Sequence, residues 1–127
     1  NKQYGTHILL SEYTYQELCN GSQPNPFVAR ELDLVRMKGK KEPVRIYELI
    51  GRTGQVDEAT LQRIAHFEQG LVEYRNRHWE AAIEQFKHAL SLELDDIPSQ
   101  LYIQRCRTHQ IDPPSENWDG VYTMTTK

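Results

Sequence analysis

The hydrophobic period of this chain changes once, just after residue 50, and that change limits what it can fold into. Before it, Val35, Met37, Val44, Ile46 and Tyr47 lie in two apolar-rich runs of strand-forming residues. After it, Leu61, Ile64, Phe67, Leu71 and Tyr74 recur at spacings of three and four, the stripe of an amphipathic helix. A strand face and a helix stripe demand different repeats, so the two halves cannot belong to one kind of element. Residues 51–55 hold Gly51, Gly54 and no large apolar side chain, which reads as a linker. The fold class expected is α+β. A short strand–helix–β-hairpin module spans residues 1–50, a linker 51–56, and an all-α module of about three helices with a tail 57–127.

In the first half, residues 1–5 read as a frayed end and residues 7–10 as a short strand. Ser11 caps a helix over Glu12–Cys19, which Asn20 and Gly21 stop. A loop over 22–26 leads into a long strand or a bulged pair of strands over 27–37, because the apolar parity changes between Ala29 and Leu32. Lys38, Gly39, Lys40 and Lys41 form a basic tip, and a strand over 44–49 returns. Gly39 supplies the positive φ that a reversal needs, and Pro43 falls where a missing N–H does least harm. Apolar groups on both strand faces point to a sheet covered on one side and partly on the other.

In the second half, Asp57 is placed to cap the first helix, and residues 76–78 break it. A second helix carries Trp79, Ala82, Ile83, Phe86, Ala89 and Leu90 on one face. Asp95 and Asp96 cap a third, with Pro98 in its first turn and Ile97, Leu101, Tyr102 and Cys106 facing inward. It runs to about His109 and ends before Pro113 and Pro114. The tail over 116–127 is irregular or a short strand, anchored by Trp118 and Val121. Gly70, Tyr74, Ala82, Phe86 and Ala89 give a small residue, an aromatic, then Ala–aromatic–Ala down the next helix. Over roughly 34 residues this resembles a tetratricopeptide repeat. It departs from that pattern at Phe67, one place late, and at Leu94, where a proline is usual. A single repeat cannot bury its own faces, so it must lean on a third helix, the tail or the hairpin module. A generic three-helix cluster is the plainer alternative.

Composition excludes several classes. The chain has 127 residues, 26% of them charged, and a formal net charge of −3. A nucleic-acid binder needs a broad basic surface with interleaved aromatics; here the basic tip is local and the balance acidic. No apolar run is long enough to span a bilayer, and none of these residues is expected to form a signal peptide. The first residue, Asn1, leads to the expectation of a piece of something longer. Cys19 and Cys106 are far apart and read as small buried hydrophobes in a reducing, cytoplasmic setting. The five histidines show no metal-ligand spacing. Glu12, Glu17 and Glu31 read as solvated rather than catalytic.

A basic tip is ordinarily a solvated turn. Its neighbourhood narrows that reading. The runs YGTHILLSEYTYQEL and FVARELDLVRMKGKKEPVRIYELI resemble the C-terminal end of class III adenylate/guanylate cyclase catalytic domains. Arg30, Leu32, Asp33, Val35, Lys38, Gly39, Lys40, Pro43, Val44, Ile46, Tyr47, Glu48 and Leu49 fall on the family pattern without a gap. The resemblance implies that Lys38 contacts the terminal phosphate of a nucleotide, ATP or GTP, while Lys40 and Lys41 carry no such role. It implies Mg²⁺ or Mn²⁺ with the nucleotide, held by aspartates early in the domain. Base selection and the transition-state Asn and Arg would likewise lie outside this chain. It implies a second protomer, because class III sites form at a dimer interface. The reaction so implied is in-line attack of the ribose 3′-hydroxyl on the α-phosphate, with pyrophosphate leaving. No catalytic residue and no metal ligand is expected here, so the chain alone is expected to be inert.

The remaining signal is the tail, where Trp118, Asp119, Gly120 and Val121 look like the ending of bacterial cyclases with helical-repeat extensions. Tyr74, Trp79 and Trp118 are the candidate interaction surface of the helical module. Regulation, dimerisation or partner docking is the role expected of it. A stand-alone tetratricopeptide-type module that binds a peptide is the alternative.

Overall fold

The computed structural model describes residues 8–20 and 25–123. The expectations for residues 1–5, His7, Gly21 and the extreme tail lie outside them. The chain divides into two compact units: Asp57–Gly120, and Thr6–Val56 joined by the chain from Val121 onward.

The sheet unit contains β1 (Leu9–Ser11), α1 (Glu12–Cys19), β2 (Phe27–Arg36), β3 (Pro43–Arg52) and β4 (Tyr122–Thr123), in the strand order β1-β3-β2-β4. β2 and β3 are the antiparallel arms of the expected hairpin, with Arg30 opposite Glu48 and Val35 opposite Val44. The register shifts between Val28 and Ala29 and again between Glu31 and Asp33, the second inside the stretch where apolar parity changes. This lets Leu32, Asp33 and Val35 all be buried along one strand. β1 pairs with the other edge of β3, Leu9 opposite Glu48. Ser11 leaves the strand and caps α1, its hydroxyl accepting from Thr14 N–H at 3.2 Å. Asn20 closes α1 in a left-handed conformation, φ 45°.

Two boundaries differ from the sequence reading. β3 extends to Arg52, so Gly51 and Arg52 are strand residues opposite Val28 and Phe27. A Cβ on Gly51 would lie 3.2 Å from a Val56 methyl, which accounts for a glycine inside a strand. The tail also splits. Trp118 stays with the helices, whereas Val121 is buried in the sheet unit and Tyr122 pairs in parallel with Val35.

The helical unit holds α2 (Glu58–Arg75), α3 (Trp79–Leu92) and α4 (Ile97–Ile111). Asp57 caps α2 by accepting from Thr60 N–H at 3.0 Å. Hydrogen bonding from Thr60 holds its carboxyl below the usual range. Arg77, in a left-handed conformation at φ 64°, turns the chain into α3. Ile64, Phe67, Gly70, Leu71 and Tyr74 are buried on α2, and Ala82, Ile83, Phe86 and Ala89 on α3. A Cβ on Gly70 would come within 2.6 Å of the Phe86 ring, so glycine is what permits this approach of the two helices. Phe67, Phe86 and Tyr102 complete the aromatic centre, with ring centroids 5.3 to 5.6 Å apart.

Asp96 stands at the N-cap position of α4, but its carboxylate does not cap. It is buried and accepts from Arg63 at 2.8 Å and from the Ser99 hydroxyl at 2.5 Å, tying α4 to α2. Three inward assignments are corrected. Leu61 is 40% exposed: the contacts of His66 with His88 and of Gly70 with Phe86 place it opposite residues beyond the end of α3. Ile97 is 37% exposed, because the buried stripe of α4 is Ser99, Tyr102, Ile103 and Cys106 and Ile97 lies off it. Cys19 is half-buried, its thiol donating to Asn25 Oδ1 at 3.2 Å, while Cys106 is fully buried; both are free thiols.

Candidate functional site

The basic tip is a tight reversal on a braced hairpin. Lys40 N–H donates to Met37 C=O at 2.9 Å, and Gly39 has φ 83°, the left-handed third residue of a type II turn. Lys38 occupies the second position, where its side chain projects outward and is exposed. Arg36 Nε donates to Lys41 C=O at 3.0 Å and holds the base of the tip closed. Further along the strands, Arg30 donates to Glu48 Oε1 through Nε at 3.0 Å and through a terminal guanidinium nitrogen at 2.5 Å. Arg30 is 1% exposed and Glu48 14%, so this is a nearly dry cross-strand ion pair. Glu31, expected to be solvated, pairs with Arg45 at 2.8 Å, and the Glu12 carboxylate accepts from Arg45 N–H at 2.9 Å. Burial first, then the Glu31 charge, raises the Tyr47 phenol above its ordinary pKa; its ring lies 4.8 Å from that of Tyr15.

Lys38, Lys40 and Lys41 thus share one tight, hydrogen-bonded loop, and none of their ammonium groups has an ion-pair partner among the described residues. Such a loop presents concentrated positive charge with no side-chain competitor. A phosphate oxygen is a fitting acceptor, and lysine binds it as a point charge. Among the described residues no group of three or more His, Cys, Asp or Glu side chains is placed to hold a metal ion. No step through a metal is therefore assigned to them.

Tyr74, Trp79 and Trp118 do come together. Their centroids lie 5.4 to 5.6 Å apart, and His109 stacks on Trp79 at 4.7 Å. His109 Nε2 is 3.3 Å from the Tyr74 hydroxyl. Arg77 lies over Trp118 at 5.4 Å and donates to the carbonyls of Pro114 and Ser115. Tyr74 faces inward, while Trp79 and Trp118 are half-buried, so this cluster fastens the tail segment to the helices. Burial chiefly, then Arg105 and Arg77, lowers the His109 pKa. His109 was missed as a member because its partners lie on three separate segments. Only its position on the last turn of α4, ahead of two prolines, hinted at packing.

No protein-family model matches the chain, and no solved structure matches it. The terminal-differentiation-specific adenylate cyclase of Dictyostelium discoideum is 31% identical to it over 106 residues. That span is 83% of this chain and 5% of that protein, so the chain corresponds to a short part of the relative's length. It exceeds the sheet unit and takes in helical residues as well. The chain is related to an adenylate cyclase over most of its length.

Proposed function

We propose that this chain is a part of a class III nucleotidyl cyclase acting in cyclic-nucleotide signalling, with ATP the favoured substrate. In this reading the sheet unit is the end of the catalytic domain, and Lys38 is its contact to the terminal phosphate. The observation that carries the proposal is the 31% identity to an adenylate cyclase, extending from sheet to helices. The exposed, braced hairpin tip supports the role given to Lys38. The helical unit is then a tetratricopeptide-type module for regulation, dimerisation or docking, supported by the approach of α2 and α3 at Gly70 and Phe86. The rest of the cyclase domain, a second protomer and Mg²⁺ or Mn²⁺ would complete the site. No helix among the described residues is long and apolar enough to cross a membrane, and a cytoplasmic location is part of the proposal.

The test is Lys38→Ala in the longer cyclase that contains this chain. Losing one charge-assisted contact of about 1.5–3 kcal/mol raises KM for the nucleotide roughly tenfold or more. Unchanged kinetics removes Lys38 from the site. The isolated chain is expected to form no cyclic nucleotide from ATP or GTP with Mn²⁺, and clear turnover by pure protein overturns the assignment of only a phosphate contact to it.

A further inference from the structure

An open groove of about 470 Å³ runs between α3 and α4, lined by Lys87, Leu90, Gln100, Ile103, Gln104 and Arg107. The two helices are antiparallel there: Gln110 near the end of α4 donates to Glu80 near the start of α3 at 2.8 Å. That register orders the lining. Leu90 and Gln100 lie level at one end, Lys87 of α3 stands level with Ile103, and Arg107 of α4 lies one turn farther on. Gln100 donates to the backbone carbonyl of Leu94 at 2.8 Å, and Leu94 itself is 76% exposed just beyond. The groove therefore carries an aliphatic side chain and, one turn along the same helix, a cation on each wall, and no carboxylate lines it. Neither Lys87 nor Arg107 has an ion-pair partner among the described residues, although the whole chain is acidic.

We infer that this groove docks an acidic peptide segment of a partner protein, one with an aliphatic side chain a helical turn away from its carboxylates. From Gln100 to Arg107 the groove wall is about two helical turns, or roughly 10 Å, long. That length matches an aliphatic anchor on Leu90 and Ile103 with carboxylates reaching Lys87 and Arg107. One unpaired cation on each wall offers a carboxylate a partner from either side, and their positive field steers its association. The inference deepens the reading of the helical unit as a docking module and names the chemistry of its partner.

The experiment uses the full chain and a fluorescein-labelled model peptide of about twelve residues, built of alternating Glu-Glu and Leu-Leu pairs. Fluorescence anisotropy is expected to show saturable binding that weakens with salt, and methyl NMR shifts are expected at Leu90 and Ile103. Lys87→Glu with Arg107→Glu is expected to weaken binding about tenfold or more. Lys87→Gln with Arg107→Gln decides the matter if circular dichroism shows the reversed variant misfolded. Absence of saturable binding, or binding indifferent to these substitutions, overturns the inference. So does tighter binding to phosphatidylserine vesicles than to the peptide, which would assign the groove to a membrane surface. These readouts contain no turnover, so their failure leaves the Lys38 kinetics of the cyclase reading as a separate result.

Discussion

Phe86 lies edge-on against Gly70, so close that no other residue fits at position 70 without movement. Gly70→Ala sets two effects against each other. Alanine gains about 1 kcal/mol of helix propensity. Overpacking costs about 1–3 kcal/mol, and Phe86, enclosed by Phe67 and Tyr102, has nowhere to go. The net expectation is a lower Tm by calorimetry, restored at least in part by adding Phe86→Leu. A Gly70→Ala protein as stable as the parent would show that the helices separate at little cost.

The Arg30–Glu48 pair sits on the strands that carry the tip. Glu48→Gln leaves the Arg30 guanidinium buried without its facing carboxylate. The expected loss is about 3 kcal/mol, at the low end for broken buried pairs because Glu48 keeps some contact with water. Urea unfolding measures it. Arg30→Met combined with Glu48→Leu should recover much of the loss, since a packed apolar pair needs no partner charge.

His109 makes the helical unit sensitive to acid. Its pKa is lower folded than unfolded, because burial and the Arg105 and Arg77 charges oppose protonation more than Asp112 favours it. The unfolded chain therefore binds the proton more readily. The contribution is whole above the unfolded value of about 6.5 and is lost as pH falls below it. Between about pH 7.5 and pH 5, the Tm of His109→Gln should fall less than that of the unmodified chain. Parallel curves would remove His109 from the acid response.

The two thiols should separate by reactivity. Burial pushes the Cys106 thiol up to about 12, so almost no thiolate exists at neutral pH. Cys19 is half-buried beside Asn25. Under native conditions a thiol reagent should label Cys19, and mass spectrometry should find Cys106 labelled only after denaturant is added. Equal labelling rates would mean that α4 opens readily.

The parts of the fold visible in the sequence are those governed by neighbours in the chain. Ser11 and Asp57 cap their helices, Gly39 turns the hairpin, and the parity change before Leu32 marks a bulge. All of these depend on residues within a few positions. What sequence reading missed depends on distant partners. Leu61 and Ile97 have the right residue type for a core, but coverage is decided by where α3 ends and which face α4 turns inward. Asp96 looks like a cap and is instead claimed by Arg63, a long-range partner that no local pattern announces. For the candidate site, the exposed place of Lys38 on the hairpin turn was legible from local residues, whereas His109 and the pair Lys87 and Arg107 acquire neighbours only when the helices are assembled.

The return of the chain to β4 changes what the helical unit is. After Arg52 the chain leaves the sheet, builds three helices, and comes back at Val121 to pair beside Val35. In chain order the three helices are thus an insertion between two strands of one sheet, and the sheet unit is completed only by residues that follow them. β4 has only two residues, both exposed, which makes it the sheet's weakest hold. A two-residue edge strand offers few hydrogen bonds to hold it, so β4 is expected to be the part of the sheet that opens most readily from β2. Amide exchange at Tyr122 and Thr123, compared with that of Val35 and Val44, measures this opening.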